Sequence, residues 1–278
     1  MKRHTNFGKA ALSAILFLLS AAFIFPIVVV LLNSFKTRFS INLAPFAIPN
    51  AETFAGLENY ISGIRDTGFI SAFGYSLFIT VASVFLIVIA TAMTAWYLVR
   101  VENKLTKFLY LFFVFSMIIP FQMVMFTMSK TANILSLDNP IGIVLIYLGF
   151  GAGLSVFMFS GFIKGVPKSV EEAATIDGCT PIKTFFLVVF PILKPTAVTV
   201  AILNAMWIWN DYLLPYLVIG SDYKTIPVAI QYLKGGYGSV DMGAMMAVLI
   251  LAVIPVIVFY LFCQRFIING VAAGAVKG

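Results

Sequence analysis

Six long runs of apolar residues, each nearly free of charge, constrain this chain more than any other feature. They cover about 10–32, 72–98, 108–128, 140–163, 196–219 and 243–266. Each reaches the roughly 20 residues that a helix needs to cross a hydrocarbon core. In lipid, every backbone amide and carbonyl must be satisfied internally, so runs of this length read as helices. The expected fold class is therefore all-α, a polytopic membrane protein with six transmembrane helices. Composition agrees: 61% of the 278 residues are hydrophobic and 10% are charged, against about 25% charged in an ordinary soluble domain. The first run follows Met1, Lys2 and Arg3, but it exceeds the roughly 7–15 apolar residues of a signal peptide. It reads as a retained anchor, with cleavage after Ser20-Ala21-Ala22 as the alternative. Pro26, Pro120, Pro215 and Pro255 fall inside runs, which bundled membrane helices tolerate because neighbours re-satisfy the freed carbonyls.

Basic residues set the expected orientation. With the N-terminus inside, 12 of the 18 Lys and Arg fall on inner segments and 6 on outer ones. Three of the outer six (Lys36, Arg38 and Arg65) lie in the long segment 33–71, where charge counts less. This makes 1–9 an inner N-terminus, 164–195 an inner loop and 267–278 an inner tail. The outer segment 33–71 reads as a folded loop with a short helix near Gly56-Leu57-Glu58-Asn59-Tyr60. The net charge of +7 follows from this topology and forms no basic face of the kind that binds nucleic acid. Cys179 and Cys263 lack metal-ligand spacing. The single histidine, His4, excludes by count a haem held by paired histidines or a histidine-based metal site.

The loop 164–195 carries the most specific information. Ser169 followed by Glu172 reads as a capping box. Glu171 and Glu172 suit the positive end of a helix dipole. A helix is expected from Val170 to about Asp177, closed by Gly178 in a left-handed conformation. Thr180 and Pro181 then open a second helix, which continues past Pro191 and Pro195 into the fifth run. Ala173 and Ala174 give the first helix low relief, so that another surface can approach. Physics alone leaves two readings open: a docking elbow, or an amphipathic loop lying on lipid headgroups.

Glu172-Ala173-Ala174, three residues, Gly178, nine residues and then Val188-Val189-Phe190-Pro191 resembles the EAA motif of binding-protein-dependent ABC importer permeases. Val188 and Phe190 replace the motif's Ile and Leu. Trp209-Asn210-Asp211-Tyr212, Lys224-Thr225-Ile226-Pro227 and the ending from Gly270 to Gly278 are similar to maltose-type carbohydrate permeases, in particular to the smaller permease of the pair. The resemblance implies a type I importer permease in a bacterial cytoplasmic membrane, forming half of a sugar pore. Its implied partners are a second permease subunit, a dimer of ATPase subunits that hold ATP and Mg²⁺, and an extracytoplasmic sugar-binding protein. It assigns ATPase coupling to Glu171, Glu172, Ala173, Ala174, Asp177, Gly178 and Pro191. It places the tail residues Gly274, Ala275, Val276 and Lys277 between the ATPases. It gives the binding protein a loop of Tyr232, Lys234, Gly235, Gly236, Tyr237 and Gly238.

Gln122, Asn204, Trp207, Asn210 and Asp211 are candidates for the substrate path. An ionised Asp at the bilayer centre costs about 2.5–3.5 kcal/mol, which places Asp211 near an interface or facing water. Trp207, Trp209, Tyr212 and Tyr216 read first as an interfacial aromatic belt. The chain has no G-x-x-x-x-G-K-[ST] phosphate loop. Rival readings lack their own signatures: paired midplane carboxylates for an ion-driven transporter, and clustered inner acids for a metal-dependent lipid transferase.

Overall fold

A computed structural model describes residues 2–220, 222–231, 233 and 241–275. Its helices, in chain order, are α1 (Lys2–Ser34), α2 (Arg38–Leu43), α3 (Glu58–Thr67), α4 (Phe69–Arg100), α5 (Lys104–Ser116), α6 (Phe121–Ile134) and α7 (Pro140–Ile163). They continue with α8 (Ser169–Ile176), α9 (Pro181–Thr184), α10 (Phe190–Asn210), α11 (Leu213–Val218), α12 (Ile226–Gln231) and α13 (Met242–Ala275). Among the described residues, five helical segments are long and apolar enough to cross a membrane: Gly8–Ser34, Phe69–Arg100, Pro140–Ile163, Pro181–Asn210 and Met242–Gln264. A bent pair, α5 and α6, makes a sixth if the two are one span.

The chain divides into two compact units. In the first (Met1–Ile70 and Ala229–Pro255), the segment after α1 is folded by local polar contacts. Asn59 donates through Nδ2 to the carbonyls of Ser34 and Lys36, at 2.9 and 2.8 Å. Ser34 and Tyr60 pair their hydroxyls at 2.7 Å. Lys36 is fully buried and donates through Nζ to the Ala44 carbonyl at 2.9 Å. Burial pushes its ammonium below the ordinary lysine pKa, because the charged form loses water. Within this unit α3 lies close on the start of α13. A Cβ on Gly63 would stand 2.8 Å from Val248 Cγ2 and 3.0 Å from the Ala244 carbonyl.

The second unit (Ser71–Val228 and Val256–Gly278) holds the larger core. Ile79, Ile87, Ala92, Ala95, Tyr147, Phe159, Phe185 and Leu193 are buried in it. Without a hydrophobic drive between helices in lipid, small residues let backbones approach, and α7 shows this on two sides. A Cβ on Gly151 would stand 2.7 Å from Ile87 Cδ1 of α4 and 2.8 Å from Asn204 Oδ1 of α10. One on Gly153 would stand 2.8 Å from the Phe113 carbonyl of α5. The start of α7 follows from its sequence: Asn139 Oδ1 accepts from the amides of Ile141 and Gly142, and Pro140 takes the first turn, where no amide is needed.

Two runs do not form single straight helices. The run 108–128 breaks between Ser116 and Phe121, and the two pieces meet at 104°. Pro120 disfavours helix at the residue before it and supplies no amide. The run 196–219 ends its helix at Asn210. There Asp211 turns extended, and its Oδ1 accepts from the amides of Leu213 and Leu214, which restarts the chain as α11.

Candidate functional site

The loop after α7 forms a two-helix elbow. The first piece, α8, is closed by a Schellman turn: the amide of Cys179 donates to the Ala174 carbonyl and that of Gly178 to the Thr175 carbonyl, both at 3.0 Å. Gly178 has φ 81°, a conformation any side chain disfavours. Thr180 then caps the next turn, accepting from the Lys183 amide at 3.4 Å, with Pro181 behind it. From Phe185 to Val189 the ladder widens to a π turn before α10 begins. Pro191 and Pro195 withhold amides from the carbonyls one turn back, so an unbroken α ladder through this stretch is not available. A π turn of this kind is frequent at functional sites.

The start of α8 corrects the expected capping box. Ser169 is the first helical residue, Lys168 occupies the cap position, and no side chain caps the helix. Glu172 does not reach back. Its side chain is exposed, and the amide of Glu172, like that of Glu171, donates to the Lys168 carbonyl.

The adjacent acid turns inward. Glu171 Oε1 accepts from Arg100 Nε at 2.8 Å and lies 2.7 Å from Arg100 Nη2. Glu171 Oε2 accepts from Trp96 Nε1 at 2.9 Å. Arg100 Nη2 also donates to the Val166 carbonyl at 2.9 Å. The two charged side chains retain only 14% and 13% exposure. Trp96 stands 5.6 Å from the buried ring of Phe185, which in turn meets Phe186 and Phe190. One carboxylate thus ties α8 to the last turns of α4, and an aromatic cluster ties the same turns to the root of α10.

The opposite face of α8 is left open. Glu172, Ala173, Ile176, Asp177 and Gly178 are exposed. Ile176, a large apolar side chain, is 86% exposed. Ala174 is buried at 7%, on the inner side. Of the expected coupling residues, Glu171 is therefore an internal anchor, and Pro191 is exposed at the start of α10. Sequence reasoning missed Arg100, Trp96 and Ile176. The first two are spaced four apart at the end of a membrane run, so they share one helix face; an arginine there beside an indole was the available signal.

The substrate-path candidates separate. Asn204 is buried and donates to Ser155 Oγ at 3.2 Å and to the Val200 carbonyl at 2.9 Å, which makes it a packing residue of α7 and α10. Asp211 Oδ2 accepts from the Tyr147 hydroxyl at 3.0 Å. Gln122, Trp207 and Asn210 are exposed, and Trp207 packs edge-on to Tyr147 at 5.4 Å. Among the binding-protein-loop candidates, Tyr232, Lys234, Gly235, Gly236, Tyr237 and Gly238 lie outside the described residues, as do Val276 and Lys277 of the tail. Gly274 and Ala275 are the last residues of α13. Among the described residues, no group of three or more His, Cys, Asp or Glu side chains is placed to hold a metal.

Residues 87–272, which include the elbow and its α4 anchor, match the family described as binding-protein-dependent transport system inner membrane component. The chain belongs to this family. It is 38% identical to the probable starch degradation products transport system permease protein AmyC of Thermoanaerobacterium thermosulfurigenes, over 99% of both chains. It is 34% identical to the multiple sugar-binding transport system permease protein MsmG of Streptococcus mutans, over 91% of each. A solved structure of a bacterial ABC transporter involved in import of the acidic polysaccharide alginate superposes with a TM-score of 0.78, over 95% of this chain and 98% of that one, at 20% identity. That likeness shows the fold. The permease is an all-α, multi-pass inner-membrane component of the carbohydrate ABC importer family.

Proposed function

We propose that this permease forms half of the translocation pore for a di- or oligosaccharide and converts the motion of a cytoplasmic ATPase pair into movement of its spans through α8. One observation carries the reading: α8 presents an open face of Glu172, Ala173 and Ile176 while Glu171, on its other side, is held by Arg100 and Trp96 of α4. A helix gripped on one side and pinned to a span on the other transmits displacement. An exposed isoleucine on it supplies apolar area that a partner can cover. The sugar class rests on the relatives, named for starch degradation products and for multiple sugars. A binding-protein partner is supported by the alginate transporter, a fold relative with a TM-score of 0.63 at 14% identity over 95% of this chain, solved with a periplasmic protein carrying an alginate pentasaccharide.

In this reading a second permease completes the pore, and ATP and Mg²⁺ sit on the ATPase pair, since this chain has no phosphate-loop sequence. Both termini and the elbow face the cytoplasm. The tail residues 274–277 reach the ATPases, residues 232–238 reach the binding protein, and Gln122, Trp207 and Asn210 face the sugar route.

Cross-linking tests the docking. In the assembled transporter, with Cys179 and Cys263 replaced by serine, Ile176→Cys is expected to cross-link to the ATPase subunit, and Leu12→Cys on α1 is not. Equal labelling of both positions by a lipid-phase reagent, with no ATPase cross-link, would instead place α8 flat on the headgroups and refute the coupling role.

A further inference from the structure

A second feature of the same end of the bundle is independent of the coupling face. Where α4 and α7 end and α5 begins, a cleft of about 340 Å³ opens between them. Arg100, Lys107, Lys164 and Lys168 line it, against a single acid, Glu102. Arg100 is spent on Glu171, and Lys168 lies 3.5 Å from Glu102. Lys107 and Lys164 meet no carboxylate at ion-pair distance among the described residues. Lys164 holds its Nζ 5.3 Å from the centre of the Tyr110 ring, and Leu98, Val99 and Tyr110 form the apolar part of the wall.

We propose that this cleft binds the phosphate of an anionic phospholipid, with Lys107 and Lys164 as its counter-ions and the Leu98–Tyr110 wall against the upper acyl chain. The placement decides between lipid and a soluble anion. Arg100 is the last residue of one apolar span and Lys164 directly follows another, so the cleft lies at headgroup depth. It joins cations to apolar side chains, as a phospholipid joins phosphate to hydrocarbon. Basic pockets between membrane helices hold anionic headgroups by this combination.

The test uses the complete transporter in neutral detergent, titrated with phosphatidylglycerol and followed by native mass spectrometry. Phosphatidylglycerol is expected to bind in preference to phosphatidylcholine. Its affinity should fall about fivefold in Lys107→Ala and in Lys164→Ala, and about thirtyfold in the double variant. Lys164→Arg should retain it, which separates charge from misfolding. Unchanged affinity in the double variant overturns the site. Equal binding of phosphatidylcholine overturns the charge reading, and displacement by millimolar inorganic phosphate reassigns the cleft to a soluble anion.

Discussion

Removing the carboxylate charge with Glu171→Gln isolates the anchor of α8. In the native arrangement Glu171 accepts two hydrogen bonds, from Arg100 Nε at 2.8 Å and from Trp96 Nε1 at 2.9 Å, and pairs with the Arg100 guanidinium at 2.7 Å. Both charged partners are nearly enclosed, at 14% and 13% exposure. Breaking a fully buried pair by removing one partner costs about 3–5 kcal/mol, because the other charge is left uncompensated. Here the residual exposure and the surviving bond from Arg100 to the Val166 carbonyl reduce that, and we expect about 2 kcal/mol. The loss falls first on attachment of α8, since Glu171 is not itself among the residues of the core around Phe159 and Phe185. A cost of 2 kcal/mol raises the detached population about 30-fold. Hydrogen exchange in the assembled transporter reads this directly. Amides of 170–179 should lose protection by about that factor in Glu171→Gln, while amides of 79–92 in α4 should not change. Arg100→Met should do the same, and the double variant should cost less than the sum, as coupled partners do. Unchanged exchange over 170–179, or strictly additive effects, would refute the anchor.

Two further outcomes follow from the glycines. Gly178→Ala should destabilise the elbow by about 1–2 kcal/mol through backbone conformation alone, because φ is 81° and nothing lies within 4 Å of the added methyl group; Gly178→Asn should lose less, and exchange of the Cys179 amide reports both. Gly153→Ala should lower the thermal unfolding midpoint of the detergent-solubilised transporter more than Gly149→Ala, with overpacking worth about 1–3 kcal/mol, because its Cβ meets the Phe113 carbonyl at 2.8 Å while Gly149 faces open space.

The elbow was legible because its signals are local. Gly178 closes α8 and Thr180-Pro181 opens the next turn through contacts that span only a few residues. The same local logic misassigned Ser169 and Glu172. A capping box satisfies helix-end amides with neighbours in sequence, but Glu171, one residue earlier, gains a guanidinium and an indole from 71 and 75 residues away. No spacing rule ranks those two acids, because what separates them is which helix face meets α4.

The amino-acid sequence by itself determined an all-α membrane protein and a helical elbow bearing the EAA pattern. Long uncharged apolar runs leave the backbone no other solution in lipid, and caps and left-handed glycines act within a turn. Only the tertiary structure decided that the run 108–128 bends through 104°, that Asn204 is packing while Trp207 is open, and that Glu171 anchors what Glu172 presents. Each of those outcomes depends on which distant side chain fills the space opposite, a quantity that exists only once the helices have packed.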